Sequence, residues 1–409
     1  MKILIVSYYP QPSVGGIWTY VSKLVNRLRS LNHEVSILSM NLKTYNYRIH
    51  DRIEELTEQS AFSSSEILKA YPDYNPDSFI FQTEVYRYSL YNAARYYGLE
   101  DYDVIYAQDV MSAGVIGRIK PSKVPMVMSA HGYLLGEILF YLKSKFPNAS
   151  DETLQKTEVY NFFQSLEKLG YYYCDMIHSQ SQWMRELIVN GSQVPEEKVV
   201  LFPYGVDTSS ILETFGTSEK LDTGGKKIII FTGRLVTLKG VNTLISALGM
   251  LVKERQDWEC WILGDGEEKT NLEEQCSNLG ITSSVKFFGN VKNVFPYLKS
   301  ADIFVLPGLQ DTQPHSVMEA QLAGLPVIVS DATGLPEMVQ HQINGFIFRA
   351  HNIEALKIQL HFLLDDAKKR REFGEQSIRW ALNKWDYNLM AENVLTMFTQ
   401  AISKSQFNS

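Results

Sequence analysis

Residues 301–337 read ADIFVLPGLQDTQPHSVMEAQLAGLPVIVSDATGLPE, and this stretch decides the fold class. Residues 302–306 are a short apolar run rich in β-formers, residues 307–313 a polar loop, and residues 314–323 have helical composition up to Gly324. Residues 327–330 are the next apolar run. Strand, loop, helix, strand is the repeating unit of a parallel sheet, and open α/β sheets bind ligands beside the carboxyl ends of their strands. Asp311 and Glu319 then stand at that end. Pro314 suits the first helical turn, where a missing N–H costs nothing, and Gly324 suits the position that ends a helix. The free N–H groups and the positive dipole end of such a helix form a seat for phosphate. At about 1.5 Å of rise per residue Glu319 lies roughly one to one and a half turns in, so the two acids can flank one bound molecule. Taken alone, the plainer reading holds the advantage: Asp311 caps the helix and Glu319 is a solvated surface charge.

The same order recurs along the chain. Residues 2–7 (KILIVS) form a β-run, followed by a loop, an amphipathic helix to about residue 31 and a strand at 34–38. Gly15 and Gly16 lie in that first loop, where adjacent glycines let the backbone approach a ligand. The pattern is not GxGxxG, and no acidic residue closes the second strand where a dinucleotide fold would hold a ribose. Residues 41–100 are polar and tyrosine-rich and read as helices with a variable excursion. Residues 103–107 and 124–129 return to β character, and His131-Gly132-Tyr133 follows the second of these at a carboxyl end. A lone loop histidine is ordinarily solvated or capping. Residues 140–146 and 159–169 read as helices, 176–180 as a strand, 181–190 as a helix and 198–202 as a strand.

Residues 203–225 carry neither period and read as a link. Then the pattern restarts. A strand at 228–232 leads to Gly233-Arg234-Leu235, Lys239-Gly240 opens a helix at 241–252, and strands follow at 259–263 and 285–288. Gly264-Asp265-Gly266 turns the chain between them. Residues 352–401 are mostly helical, with Trp380, Trp385 and Tyr387 where aromatics signify packing at a junction.

Composition bounds the function. At 409 residues the chain accommodates about two or three domains, and its 45% hydrophobic share fits a globular protein. No run of about 18 apolar residues occurs, so no transmembrane helix is expected. The chain opens directly on a strand, and the charged, apolar and cleavage regions of a secretory signal are not expected; the odd number of cysteines fits a reducing cytoplasm. Three cysteines without CxxC spacing suggest neither disulfides nor zinc, and eight histidines show no HExxH. A net charge of −7 argues against broad nucleic-acid binding.

Arg234 and Lys239 both fall between a strand end and a helix start. Together they can neutralise a diphosphate, Arg through a fork of hydrogen bonds and Lys as a point charge. Singly, each reads as solvated. Repetition shifts the balance, because the unit carrying Arg234 and Lys239 and the unit carrying Asp311 and Glu319 would open onto one crevice. Cations for phosphates and carboxylates for sugar hydroxyls match a nucleotide-sugar. No Asp-x-Asp clamp lies nearby, and two protein cations can replace a metal in stabilising a leaving diphosphate, so no metal or other cofactor is expected.

Three runs, FTGRLVTLKGVNTLISAL (231–248), WILGDGEE (261–268) and VLPGLQDTQPHSVMEAQLAGLPVIVSDATGLPEMVQHQINGF (305–346), resemble the C-terminal domain of retaining nucleotide-sugar glycosyltransferases of the two-Rossmann GT-B type, family 4 (glycosyl transferases group 1). The opening KILIVSYYPQPSVGGIWTYVSKLVNRLRSLNHEVSIL (2–38) resembles the start of the same family. The resemblance implies an α/β protein of two Rossmann-like doubly wound domains facing a central cleft. Residues 1–205, completed by a final helix at 385–409, would take the acceptor, and residues 206–384 the nucleotide-sugar donor.

By position, the resemblance assigns Arg234 and Lys239 to the donor diphosphate and Glu319 to the nucleotide ribose. Gly16, with Gly15 beside it, would contact diphosphate or acceptor, and His131 the transferred sugar. Asp311 takes the first acidic place of the E-x7-E motif and would touch sugar hydroxyls, so the expected catalytic set is Arg234, Lys239, His131 and Asp311. Two departures bear on the donor. Family members usually carry Glu, Gly and an aromatic where this chain has Asp311-Thr312-Gln313, and Asn where it has Tyr204.

The expected reaction moves a hexose-type sugar from a UDP- or GDP-sugar to a hydroxyl of a glycan, a lipid-linked glycan or a small molecule. It keeps the anomeric configuration and needs no metal, and peripheral contact with the inner face of a membrane follows from the resemblance. The alternatives are a nucleotide-sugar epimerase or phosphorylase of the same architecture, or a non-catalytic sugar-nucleotide-binding subunit. A nicotinamide dehydrogenase lacks its glycine fingerprint.

Overall fold

The computed structural model describes residues 1–12, 16–50 and 59–407. The chain divides into two units, Met1–Phe202 with Ala391–Ser409, and Pro203–Met390.

Unit 1 is built on seven strands: β1 (Lys2–Pro10), β2 (Glu34–Met40), β3 (Tyr47–Ile49), β4 (Val104–Ala107), β5 (Met126–Ser129), β6 (Met176–Ser179) and β7 (Val199–Leu201). They lie in the order β3-β2-β1-β4-β5-β6-β7, parallel except for β3, which runs antiparallel on the β2 edge. Every residue of β4, β5 and β6 is buried, as strands covered by helices on both faces require. The tyrosine-rich region holds β3 and the helices Gln59–Ala70 and Phe79–Tyr97, the second capped by Ser78, whose hydroxyl accepts the Phe81 N–H. The helix read at 140–146 starts earlier, at Leu134, and ends at Lys145. Its first turns, LLGEI, pack Leu134, Leu135 and Ile138 into the core. The helix read at 181–190 is α-helical only over Gln182–Glu186 and widens into a π-turn over Leu187–Gly191.

Unit 2 has six parallel strands: β8 (Lys227–Thr232), β9 (Trp258–Leu263), β10 (Val285–Gly289), β11 (Ile303–Leu306), β12 (Val327–Ser330) and β13 (Gly345–Phe348). Their order is β10-β9-β8-β11-β12-β13. The order reverses between β8 and β11, the switch point at whose carboxyl ends open α/β sheets bind ligands.

The expected link at 203–225 needs correction, because Thr208–Thr217 is a helix. Asp207 caps it by accepting the Ser210 N–H at 3.0 Å. At the other end Lys299 Nζ donates to the carbonyls of Phe215, Gly216 and Ser218 at 2.8, 2.9 and 2.7 Å. That far partner satisfies carbonyls that a short polar helix leaves open. The chain also stays with unit 2 beyond residue 385. Trp385 is fully buried, its Nε1 donates to Gln321 Oε1 at 2.8 Å, and Asp386 bridges to Val206. Ala391–Ser409 belong to unit 1, where Phe398 packs edge-on to Tyr106. No helix among the described residues is long and apolar enough to cross a membrane.

Candidate functional site

In unit 2 three loops leave the carboxyl ends of β8, β9 and β11 and are stitched together through their backbones. The Leu235 N–H donates to the Asp265 carbonyl at 2.9 Å, and the Leu309 N–H to the Leu238 carbonyl at 2.7 Å. Two glycines permit this closeness. At Gly264, with φ 134°, a Cβ would fall 1.9 Å from the Gly233 carbonyl oxygen. At Gly240, with φ 63°, it would fall 2.0 Å from that of Pro307. Any side chain at either place would drive the loops apart.

This stitching brings Lys239, on the β8 loop, against Asp311, on the β11 loop. Lys239 Nζ lies 2.7 Å from Asp311 Oδ1 and 2.6 Å from Oδ2. The side chains are 16% and 13% exposed, so water screens the pair little. Asp311 is fixed from behind by the loop after β12. Its N–H donates to Thr333 Oγ1 at 2.9 Å, and its carbonyl accepts the Thr333 hydroxyl and the Gly334 N–H. Asp311 does not cap the following helix. That helix is His315–Leu322, with Pro314 in the cap position and no side-chain cap bond.

Arg234 is exposed on the loop that carries Lys239 and forms no ion pair among the described residues. Glu319 is half-buried on His315–Leu322. The two departures from the family pattern meet each other, because the Tyr204 N–H donates to Gln313 Oε1 at 2.9 Å and both residues are buried. No group of three or more His, Cys, Asp or Glu side chains among the described residues is arranged to hold a metal ion.

In unit 1 the corresponding carboxyl ends carry other chemistry. Asp109, directly after β4 and Gln108, accepts the Ser112 N–H at 2.7 Å and the Tyr8 N–H at 2.9 Å, tying the end of β1 to the helix Val110–Ile116. Burial pushes its carboxyl above the ordinary range, against the pull of these hydrogen bonds. His131, after β5, is half-buried, with Nε2 at 2.9 Å from Gln108 Oε1 and its carbonyl accepting from Gln180 Nε2 at 3.3 Å. The Tyr20 ring meets the imidazole edge-on at 5.1 Å. Gly16 opens the helix Gly16–Ser30 and is exposed, whereas Gly15 lies outside the described residues.

Glu167, on the helix Glu158–Tyr173, is buried against the start of the helix Leu134–Lys145. It accepts the Leu135 N–H and the Ser192 hydroxyl, both at 3.4 Å. Desolvation pushes its carboxyl up to about 7, opposed by those two bonds.

Sequence reading passed over Gln108 and Thr333, and met Gln313 only as a departure from the family pattern. Gln108 was open to the reasoning applied to His131, because it too directly follows a β-run. The contacts that Gln313 and Thr333 make had no local signal, since each acts on a residue far along the chain.

Two family models match in succession, Glycosyltransferase Family 4 over residues 14–210 and Glycosyl transferases group 1 over residues 217–380. An uncharacterized glycosyltransferase of Methanocaldococcus jannaschii is 24% identical over 415 residues, covering 98% of this chain and 99% of that one. The N,N'-diacetylbacillosaminyl-diphospho-undecaprenol alpha-1,3-N-acetylgalactosaminyltransferase of Campylobacter jejuni is 25% identical over 251 residues, 58% of this chain and 64% of that one. Among solved structures, Anabaena HepE in complex with UDP has a TM-score of 0.69 at 17% identity, covering 98% of this chain and 100% of that one, a likeness of fold. With the two models falling one after the other along a chain of two parallel α/β units, the protein belongs to the family 4 glycosyltransferases of the GT-B type.

Proposed function

We propose that the protein transfers a hexose-type sugar from a nucleoside-diphosphate sugar to a hydroxyl of a glycan or lipid-linked glycan, with retention of configuration and without a metal. The observation that carries this reading is the Lys239–Asp311 pair. It sits on the loops leaving β8 and β11, where the strand order reverses, with exposed Arg234 on the same loop as Lys239. Unit 2 takes the donor and unit 1 the acceptor.

Arg234 and Lys239 stabilise the charge that grows on the departing diphosphate as the bond from the anomeric carbon to phosphate oxygen breaks. Asp311 accepts hydrogen bonds from sugar hydroxyls, Glu319 from the ribose, and His131 meets the transferred sugar. Gly16, beside Gly15, leaves room for diphosphate or acceptor. The new bond from the anomeric carbon to the acceptor oxygen forms on the face the diphosphate leaves. A phosphate oxygen of the leaving group takes the acceptor's proton.

HepE of Anabaena has been solved with UDP and with UDP-glucose, which supports UDP as the first nucleotide to test, with GDP the second. The Campylobacter relative is named for a sugar carried on diphospho-undecaprenol, which supports a lipid-linked acceptor and with it work at the cytoplasmic face of a membrane.

The test has two steps. Thermal shift against UDP-, GDP- and ADP-sugars identifies the donor, since a ligand bound only by the native state raises the melting temperature. The labelled donor is then incubated with lipid-linked acceptors in the presence of EDTA, and the anomeric configuration of the product is read by NMR. Stabilisation by one nucleotide-sugar and a product of unchanged configuration are expected. Absence of both stabilisation and turnover would end the proposal, and an epimerised or phosphorolysed sugar would replace it with another activity on the same fold.

A further inference from the structure

His131 is held by a residue that has no other evident task. Gln108 follows β4 directly and is 1% exposed, with its backbone N–H committed to the Val6 carbonyl at 2.8 Å. Among the described residues its side-chain amide has two hydrogen-bond partners. Nε2 donates to the Tyr106 carbonyl at 3.3 Å, and Oε1 lies 2.9 Å from His131 Nε2. The amide cannot be turned round without setting its oxygen against the Tyr106 carbonyl, two acceptors facing each other in a buried place. The carbonyl end of Gln108 therefore faces the imidazole, and an amide oxygen only accepts. His131 Nε2 must carry the proton. The neutral ring then keeps its lone pair on Nδ1, because which nitrogen holds the proton is set by the hydrogen bond the other face makes.

The surroundings limit escape from this arrangement. The His131 carbonyl accepts from Gln180 Nε2 at 3.3 Å, which fixes the backbone under the ring. The Tyr20 ring stands against the imidazole at 5.1 Å and 71°, and the Tyr20 hydroxyl is itself 2.7 Å from that of Tyr106. Tyr106 thus supports both walls, its carbonyl orienting Gln108 and its hydroxyl anchoring Tyr20. A ring flip would place a carbon where Gln108 Oε1 now accepts an N–H, leaving a buried acceptor unpaired.

We infer that Gln108 is a positioning residue for the transfer reaction: it holds His131 in the Nε2–H tautomer and so decides which ring atom donates and which accepts when the sugar is bound. The inference rests on the role proposed above for His131, and it has a physical core that stands apart from that role. A leucine at position 108 would remove the acceptor that holds the proton on Nε2, so that the Nε2–H tautomer loses this stabilisation and part of the enzyme would present the wrong atom. A neutral glutamic acid would donate its hydroxyl to the Tyr106 carbonyl, accept from Nε2 with its other oxygen and keep the tautomer.

The decisive measurement is the nitrogen spectrum of histidine side chains in the uniformly 15N-labelled full-length protein, with the His131 signal identified by its loss in His131→Ala. A wild-type ring protonated at Nε2, a mixture of tautomers in Gln108→Leu and recovery of Nε2–H in Gln108→Glu are expected. Turnover in Gln108→Leu should fall at least about tenfold with little change in the donor KM, and Gln108→Glu should restore part of it. A wild-type ring protonated at Nδ1 would overturn the inference. So would a Gln108→Leu spectrum identical to wild type, and the first of these outcomes is read on the wild-type protein, with His131→Ala serving only to assign the signal. If His131→Ala transferred sugar at the normal rate, the role of the histidine would fall, and the wild-type spectrum would still decide whether Gln108 sets its tautomer.

Discussion

Lys239 Nζ bonds both carboxylate oxygens of Asp311, at 2.7 and 2.6 Å, across 72 residues of chain. The cation offered to a diphosphate and the acid offered to a sugar therefore neutralise each other. A lysine has three N–H donors and the carboxylate uses two of them, so a phosphate must take the third or displace the acid. Two substitutions separate these cases. Lys239→Ala should lower turnover at least about 100-fold, the scale of losing one pre-organised charge contact. Asp311→Asn should lower turnover too while tightening binding of the free nucleoside diphosphate by about tenfold, since Lys239 is then uncompensated. Isothermal titration with UDP and GDP checks this, and weaker binding in Asp311→Asn would mean that the acid orients the lysine instead of competing for it.

Glu167 gives stability a dependence on pH. Burial holds its carboxyl near 7 in the folded state, above the ordinary 4.5. Below about pH 4.5 the acid is neutral in both folded and unfolded chains and carries no penalty. As pH rises toward 7 the unfolded chain ionises while the folded one keeps its proton, so stability falls. Above that the penalty levels at about 3 kcal/mol. Glu167→Gln should therefore be more stable than wild type at about pH 8 and similar to it near pH 4.5. Melting temperatures across that range measure the effect, and a gap between the two proteins that did not widen with pH would contradict it.

Gly240→Ala tests the stitching of the loops. The added methyl would sit 2.0 Å from the Pro307 carbonyl oxygen, on a residue at φ 63°. Strain and overlap together should cost at least about 2 kcal/mol and part the loops that bring Lys239 to Asp311. Urea denaturation and nucleotide titration should show both losses, and unchanged values would show that the loops give way freely.

Lys299→Met removes an ammonium that three carbonyls at the end of Thr208–Thr217 accept from. It also removes a positive charge from the negative end of that helix's dipole. A loss of about 1–3 kcal/mol is expected, with faster amide exchange confined to that helix and its flank. Uniform exchange across unit 2 would place the contribution of Lys299 elsewhere.

The succession of apolar runs and turn residues was enough to read two parallel α/β units, because period and punctuation are local properties of a chain. The same reasoning read Arg234, Lys239, Asp311 and His131 as residues that follow β-runs, since in such a sheet each loop after a strand opens at the carboxyl end. What the sequence did not disclose is which of these residues touch. Lys239 meets Asp311 at a separation of 72 residues, Tyr204 meets Gln313 at 109 and His131 meets Gln108 at 23. The helix Thr208–Thr217 and the attachment of Trp385 to unit 2 were likewise hidden, because Lys299 and Gln321 supply their decisive partners. Hydrophobic period fixes which face of an element is buried, whereas a polar contact depends on the register at which two distant loops are brought together. That register is set by the order of strands in the assembled sheet.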